Sequence, residues 1–202
     1  MIAALTGTGL AAAAGLNAYI PFLLVALLSR FTDVIDLPTQ YAWIESGWAI
    51  GIGAVLLASE TVLDKIAIVD HLNDLVATLI RPTVGGLIFA ATTAAGEVDE
   101  SSWMQDNPWV GIVLGVVVAG IVHTGKAVTR PAVNVSTLGV GTPVVSAAED
   151  GASVAMSLVA IFLPVLVVVA LVLLAWAMII IWRRVRRRRR ARGAPAAPLP
   201  ER

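Results

Sequence analysis

The feature that most constrains the fold is a run without a single charged residue, from Gly151 to Trp182. Uncharged apolar runs of about 18 residues or more are typical of transmembrane helices, since about 20 helical residues cross the hydrocarbon core of a bilayer. Further apolar stretches begin at the N-terminus and near Trp48, Pro82 and Trp109. The whole chain is 58% hydrophobic and 14% charged, whereas about a quarter of a soluble domain is charged. The sequence therefore predicts an integral membrane protein.

Backbone groups in lipid must be satisfied within the segment that carries them, so we expect an all-α fold, a polytopic transmembrane helical bundle. About five spans are predicted, near residues 1–30, 48–66, 82–96, 109–128 and 152–182. A short amphipathic helix around residues 72–80 is expected to lie at the interface before the third span. Gly15 and Pro21 predict a broken first helix, and Pro164 predicts a kink in the last.

Three further features concern how the spans are arranged. Gly111 and Gly115 have the GxxxG spacing that lets helices pack closely in lipid. A shift that places Trp48 on Trp109 also matches three later positions, which indicates a weak two-fold internal repeat in parallel orientation. A re-entrant segment around residues 133–145, or a half-length helix hidden before Trp182, stays open as an alternative.

Ionisable and amide side chains interrupt the apolar runs at positions that alternating spans bring to one face of the membrane. The end of the second span, the start of the third, the end of the fourth and the start of the fifth share that face. Burying a charge in a bilayer costs a few kcal/mol unless it is paired or hydrated, so such charges predict a functional site. The candidate substrate- or ion-binding residues are Glu60, Asp64, Lys65, Arg81, His123, Lys126, Arg130, Asn134, Glu149 and Asp150, with Asn17, Asp70, His71 and Asp74 as secondary candidates.

These residues favour transport or conduction of a small solute or an ion. Charged groups within spans and helices broken by glycine or proline are typical of transporters. His123, Lys126 and Arg130 have helical spacing and predict a cationic stripe that binds an anion. The nearby carboxylates would balance these cations or carry protons, and the two histidines have side chains that titrate closest to neutral pH.

Two other classes of function stay open. The charges could form an ion-pair network that only fixes helix register, as in a membrane scaffold or assembly protein. The cationic stripe could instead hold a phosphate in an enzyme that acts on lipid phosphates. Charge-swapped pairs would retain function in a scaffold and lose it in a transporter or an enzyme.

The sequence provides no motif for catalysis or for a metal site. It contains no glycine-rich phosphate loop, no HExxH and no GxSxG, so we assign no catalytic residue and no cofactor. The chain has no cysteine, which excludes disulfides and thiolate metal sites. His71 between Asp70 and Asp74 is more typical of a solvated interface than of a metal site, so we expect no metal.

Residues 183–202 form a polybasic tail, rich in proline and alanine and expected to be disordered, after a transmembrane domain at residues 1–182. Arginines directly after the last span favour a cytoplasmic C-terminus in a multi-pass protein of the cell membrane. The expected partners are the lipid bilayer and anionic lipid headgroups rather than a specific nucleic acid. A homo-oligomer stays open.

The orientation predicted from the tail conflicts with the other cations. Five spans and a cytoplasmic tail place the N-terminus and the polar face outside. Lys65, Arg81, Lys126 and Arg130 would then contradict the rule that cations concentrate on the cytoplasmic side. Either these cations belong to a site or the span count is wrong.

Several polar motifs resemble those of the DUF4126 membrane proteins, over about residues 5–175. The first block is Glu60-x3-Asp64-Lys65, then Asp70, Asp74 and Ile80-Arg81-Pro82, and the second is His123-x2-Lys126-x3-Arg130-x3-Asn134-x-Ser136, then Ser146-x2-Glu149-Asp150. Gly15-Leu16-Asn17-Ala18-Tyr19-x-Pro21 is similar to the opening helix of that family. Val140-Gly141-Thr142 departs from the more polar turn expected there. The resemblance implies a class of membrane protein and a polar site, without naming a substrate.

Overall fold

The structure is a computed structural model that describes residues 2–64, 67–95, 107, 109–137 and 140–192. All regular elements within these ranges are helices, which confirms the all-α prediction. The α-helices of the described ranges are α1 (Ile2–Leu16), α2 (Tyr19–Phe31), α3 (Gly47–Leu63), α4 (Ala67–Ala95), α5 (Trp109–Thr137), α6 (Thr142–Phe162) and α7 (Val167–Arg192). Short 3₁₀ helices at Thr39–Glu45 and Pro164–Leu166 precede α3 and α7.

A helical hairpin formed by α1 and α2 replaces the predicted first span. The C-terminus of α1 lies at the level of Lys126, whose ammonium donates a hydrogen bond to the Leu16 carbonyl at 2.9 Å. The Asn17 side chain then caps a new helix, because its Oδ1 accepts hydrogen bonds from the amides of Tyr19 (3.0 Å) and Ile20 (3.3 Å). The predicted break in this helix is therefore confirmed, and the chain also reverses its direction there.

The reversal follows from the contacts between α2 and α3. At the start of α2, Tyr19 lines a cavity together with the last turn of α3. At the end of α2, Ser29 donates a hydrogen bond to Glu45 at 2.6 Å, just before α3 begins. The two helices are therefore antiparallel. Since α3 leads toward Asp64, which lies 3.7 Å from Lys126, α2 leads away from the level that α1 reaches.

The apolar run at residues 151–182 is also two helices, so the prediction of one kinked last span is wrong. α6 ends at Phe162, and Leu163 leaves the helical conformation with φ −137° and ψ 56°. Pro164 explains this end, because proline lacks an amide hydrogen and disfavours helix in the residue before it. The 3₁₀ turn that Pro164 begins then leads into α7.

α7 runs back toward the level of Lys126. At its start, Val167 lies against Gly9 of α1. Further along α7, Met178 packs on Gly125 of α5, the residue directly before Lys126. The C-terminal end of α7 therefore lies at the same end of the bundle as the C-terminus of α5.

Within the described residues, four helices are long and apolar enough to cross a membrane, and the 3₁₀ helix before α3 forms with α3 a fifth candidate, bent by 53°. The four lie at Leu75–Thr93, Trp109–Arg130, Thr142–Phe162 and Pro164–Arg184. The number of candidate spans stays at about five, but different helices make up that number. α1 and α2 form a hairpin of shorter helices, and the apolar run at residues 151–182 belongs to two candidate spans. The arginines that end α7 thus share the side of the polar face, whereas the sequence predicts opposite sides.

α4 and α5 differ from the prediction in length and agree with it in packing. Residues 67–95 form one continuous helix through Pro82, so the expected separate interfacial helix is the first part of α4. Polar and packing partners allow proline within membrane helices. Gly115 of α5 packs directly on the backbone of Gly85 and Gly86 of α4, and Gly111 lies against Phe89. The small residues therefore bring the two helices together, as their spacing predicts.

Candidate functional site: a charged network at the tip of the hairpin

Three cations and three carboxylates from four helices meet inside the bundle. We call this set the charged network; its members are Glu60 and Asp64 at the end of α3, Arg81 of α4, Lys126 and Arg130 of α5, and Glu149 of α6. The four-residue spacing within α3 and within α5 places each pair on one helix face. All except Glu149 are at most 3% exposed. Side chains this polar are rarely buried unless they are paired.

The depth of the charged network follows from α7. The segment Pro164–Arg184 contains 21 residues, which is about 30 Å of helix and matches the hydrocarbon core. Met178 lies level with Lys126 through its contact with Gly125. Met178 is about 10 Å of helix away from Arg184 and about 20 Å away from Pro164. The network therefore lies about two-thirds of the way along this candidate span, nearer to the end from which the arginine tail leaves.

Asp64 is the centre of the charged network. Its Oδ2 lies 2.7 Å from Nη2 of Arg130, 3.7 Å from Nζ of Lys126 and 4.0 Å from Nη2 of Arg81. Glu149 connects the two cations of α5, since its Oε2 lies 2.5 Å from Nη2 of Arg130 and 3.2 Å from Nζ of Lys126. Two carboxylates thus hold the cations of α5 in place.

Arg81 connects the network to His123. Its Nη2 donates to Oε1 of Glu60 at 2.6 Å, and its Nη1 lies 3.0 Å from Nδ1 of His123. A guanidinium has only donors, so Nδ1 of His123 accepts and the ring carries its proton on Nε2. That Nε2 lies 3.0 Å from the hydroxyl of Thr78, which can accept it. In this arrangement His123 acts as a hydrogen-bond acceptor toward Arg81.

The tip of the hairpin is held against the charged network. Besides the bond from Lys126 to the Leu16 carbonyl, Asn17 Nδ2 donates to Asp150 Oδ1 at 2.9 Å. The hydroxyl of Ser153 donates to the Ala13 carbonyl at 3.0 Å. Non-helical backbone at membrane depth is tolerated only where protein or a cavity satisfies it, and these bonds satisfy it here.

The cations and carboxylates of the charged network are equal in number, three of each. An anion would therefore have to displace a carboxylate from Lys126 or Arg130 before it could bind. Removing one partner of such a buried pair costs about 3–5 kcal/mol, so the network is stable only as a complete set. Among the described side chains, Asp64 and Glu149 lie beside the cations at which an anion is expected to bind.

A cavity of about 190 Å³ adjoins the network between α2, α3 and α4. Its walls are mostly apolar, and its polar lining includes Tyr19, Glu60 and Arg81. Glu60 uses Oε1 to accept from Arg81, whereas its buried Oε2 has no hydrogen-bond partner within the described ranges. One oxygen of this carboxylate therefore accepts a hydrogen bond, and the other accepts none from the described residues.

Residues 4–184 match a family model described as a domain of unknown function, DUF4126. The chain belongs to the DUF4126 family. No curated protein and no solved structure matches it. In this DUF4126 chain the matched region contains the hairpin except for its first two residues, the charged network and the cavity, and it ends at the first arginines of the tail.

The structure brings most of the predicted site residues of the DUF4126 chain together. Glu60, Asp64, Arg81, His123, Lys126, Arg130 and Glu149 form the network and its histidine contact, and Asp150 and Asn17 pair beside it. Lys65 lies outside the described residues. Asp70, His71 and Asp74 lie in the first turns of α4 and Asn134 near the end of α5, where the side chains are outside the described part. Among the described side chains, no three of His, Asp or Glu form a group suited to a metal ion.

Some residues at the site are not among the predicted ones. Thr78 contacts His123, and Ser153 holds the hairpin tip. Ser146 is fully buried, and its hydroxyl has no hydrogen-bond partner among the described residues. Ser146, Glu149 and Ser153 recur at helical spacing in an apolar helix, which is a signal that could have identified both serines. The carbonyl of Leu16 carries no sequence signal, because its role depends on where the hairpin turns.

Proposed function

We propose that this multi-pass protein transports a small solute or an ion across the cell membrane, with the charged network as the site at which transport is controlled. The observation that carries the proposal is the break between Leu16 and Tyr19, which presents the hairpin tip to buried charges at membrane depth. In secondary transporters, discontinuous helices supply the binding sites near the middle of the bilayer.

The hairpin is the element best suited to move. Its tip is held by hydrogen bonds from Lys126, Asn17 and Ser153, each contributing about 1 kcal/mol. The total of a few kcal/mol is comparable with the free-energy differences between functional states of proteins. The charged network can stay paired while the hairpin tip leaves it, so a solute would gain access without the separation of buried charges.

We also propose that the tail is cytoplasmic and binds anionic headgroups. The arginines from Arg183 onward leave the bundle at the same end as the charged network. With this arrangement Arg81, Lys126 and Arg130 lie toward the cytoplasmic side, so the conflict with the positive-inside rule disappears. The hairpin would then enter from outside, and its tip would meet the network about two-thirds of the way across.

A membrane scaffold is the second candidate, and the complete pairing of the charged network supports it. Buried ion pairs often serve only to fix packing. Exchanging the charges of Glu60 and Arg81 distinguishes a scaffold from a transporter. The double variant Glu60→Arg with Arg81→Glu keeps the ion pair and the net charge while reversing the position of each charge. A scaffold would keep its activity after this swap, whereas a transporter would lose it.

The test is flux through the full-length chain in proteoliposomes, recorded as solute-induced current on a solid-supported membrane with a panel of anions, cations and amino compounds. We expect current from the natural chain and little from Asn17→Ala, which loses the hairpin tip's bond to Asp150. Asn107→Ala is the matched control, because Asn107 lies at the opposite end of α5 from the network, where its Oδ1 accepts a hydrogen bond from Trp109 Nε1 at 3.2 Å. Absence of current throughout the panel, or full current after the Glu60/Arg81 swap, would contradict the proposal.

A further inference from the structure

The cavity between α2, α3 and α4 is partly open, and its lining includes exposed apolar residues of α3 and α4. Its rim includes Leu56 of α3, 41% exposed, and Val76 of α4, 58% exposed. Both are apolar and belong to helices that are candidate membrane spans, so we infer that their exposed surfaces face acyl chains. A ligand that dissolves in the outer part of a bilayer can therefore reach the cavity without passing through water.

The inner end of the cavity is lined by Glu60 and Arg81, which form an ion pair through Oε1 of Glu60. Glu60 is 3% exposed, and its Oε2 accepts no hydrogen bond from any described residue. A buried acceptor without a donor is costly, and more so when it is charged. The hydroxyl of Ser59 already donates to the Val55 carbonyl at 2.9 Å, so the cavity wall has one acidic acceptor that a donor from a ligand would satisfy.

We propose that this cavity binds a small protonated amine, with its ammonium group donating to Oε2 of Glu60 and its apolar body lying against Leu56, Leu63 and Ile80. A carboxylate oxygen repels an anion, and one such oxygen is too few for a divalent cation, which takes six or more oxygen ligands. A protein cavity of about 150 Å³ accommodates benzene, so 190 Å³ accommodates an amine of similar or slightly larger size. Linear amines with about four to six carbons fit this volume.

The site is connected to the charged network through Glu60 itself. An ammonium at Oε2 shares the carboxylate with Arg81, which is held at Oε1 and contacts His123. Binding therefore weakens the hold of Glu60 on Arg81, and the change reaches α5. The inference deepens the proposed function by naming its substrate class, and only the transport of the amine depends on that function.

The test is binding of n-butylamine to the full chain in phosphatidylcholine nanodiscs, measured by calorimetry beside n-butanol and n-butyrate. We expect butylamine to bind and both isosteres to bind at least tenfold more weakly, because a charge-assisted hydrogen bond contributes a factor of this size. Glu60→Gln should reduce amine affinity about tenfold or more, and Glu45→Gln, at the opposite end of α3, should not.

A second variant tests the cavity without changing a charge, and a second lipid tests whether the amine belongs to a lipid headgroup. Leu56→Trp fills the cavity from its exposed rim without changing charge, and it should abolish butylamine binding while the melting temperature stays close to that of the natural chain. Nanodiscs with an ethanolamine phospholipid distinguish the source of the amine: competition with butylamine identifies a lipid headgroup, and its absence identifies a free amine.

The outcomes separate the two proposals. Equal binding of amine, alcohol and carboxylate, or unchanged amine affinity in both Glu60→Gln and Leu56→Trp, would overturn the amine site. Amine binding without current in proteoliposomes would leave the site standing and contradict transport. Current with another solute, without amine binding, would leave transport standing and refute the amine as its substrate.

Discussion

Replacement of Arg130 by methionine tests whether the charged network is stable only as a complete set. Arg130 is 3% exposed and its Nη2 lies 2.7 Å from Asp64 and 2.5 Å from Glu149. Without it, Glu149 keeps Lys126 at 3.2 Å, and Asp64 keeps Lys126 at 3.7 Å and Arg81 at 4.0 Å. Removing one partner of a buried ion pair costs about 3–5 kcal/mol. For a chain of this size, such a loss lowers the melting temperature by roughly 6–20 °C.

The assay is thermal unfolding in detergent, followed by tryptophan fluorescence, with a matched arginine as control. Arg30→Met removes an exposed guanidinium whose Nη1 donates to the Glu45 carbonyl, so it should cost at most about 1 kcal/mol. Adding Glu149→Met to Arg130→Met removes the uncompensated carboxylate and should recover most of the lost stability. If Arg130→Met were no more harmful than Arg30→Met, or if the double variant lost the sum of both single losses, the reasoning would be refuted.

Two further predictions concern packing and the hairpin. Gly115→Ala should lower the melting temperature because its new methyl group collides with the Gly85 carbonyl, whereas Gly120→Ala, with nothing within 4 Å, should be neutral or slightly stabilising; equal effects would contradict the close α4–α5 contact. Asn17→Ala should cost about 0.5–2 kcal/mol from the lost helix cap alone, and the lost bond to Asp150 adds to it. Hydrogen exchange checks this, since the first amides of α2 should exchange faster; unchanged protection would show that Asn17 does not hold the tip.

The gathering of charges was predictable because it depends on the alternation of spans and on few details. Glu60, Arg81, Lys126 and Glu149 each lie next to the same end of a predicted span. Any bundle in which successive central spans run in opposite directions brings these charged side chains to one end. They then form ion pairs, because burying an unpaired charge in a bilayer is costly. The pairing of Arg81 with a neutral His123 was not predictable, since a histidine at helical spacing from two cations gives no sign of its acceptor.

The two reversals were harder to predict, for a physical reason. Glycine and proline mark where a helix stops, but a kink and a reversal need the same residues. Residues 1–30 are long enough for one span, and so are residues 152–182 for a kinked one. The direction after Asn17 and after Leu163 is decided by tertiary contacts, such as those of Ser29 with Glu45 and of Met178 with Gly125. These contacts join residues that are far apart in the sequence, so local sequence patterns do not predict them.

These reversals also remove the conflict over orientation. A hairpin contributes no crossing, and the split last run contributes one more than predicted. The number of crossings between the N-terminus and the charged network changes from even to odd, and the end of α7 moves to the side of the network. The cations of the site and the arginines of the tail then follow the same topological rule.

The most direct test of this arrangement is single-cysteine labelling in intact cells and in inverted vesicles, with a membrane-impermeant maleimide. Gln40 lies between α2 and α3, Val140 lies between α5 and α6 and is 80% exposed, and Ala196 follows α7 in the tail. We expect cysteines at Val140 and Ala196 to react from the same side of the membrane and a cysteine at Gln40 to react from the other. If Gln40 and Ala196 share a side and Val140 lies opposite, the first helices cross the membrane as one span, and the hairpin account is wrong.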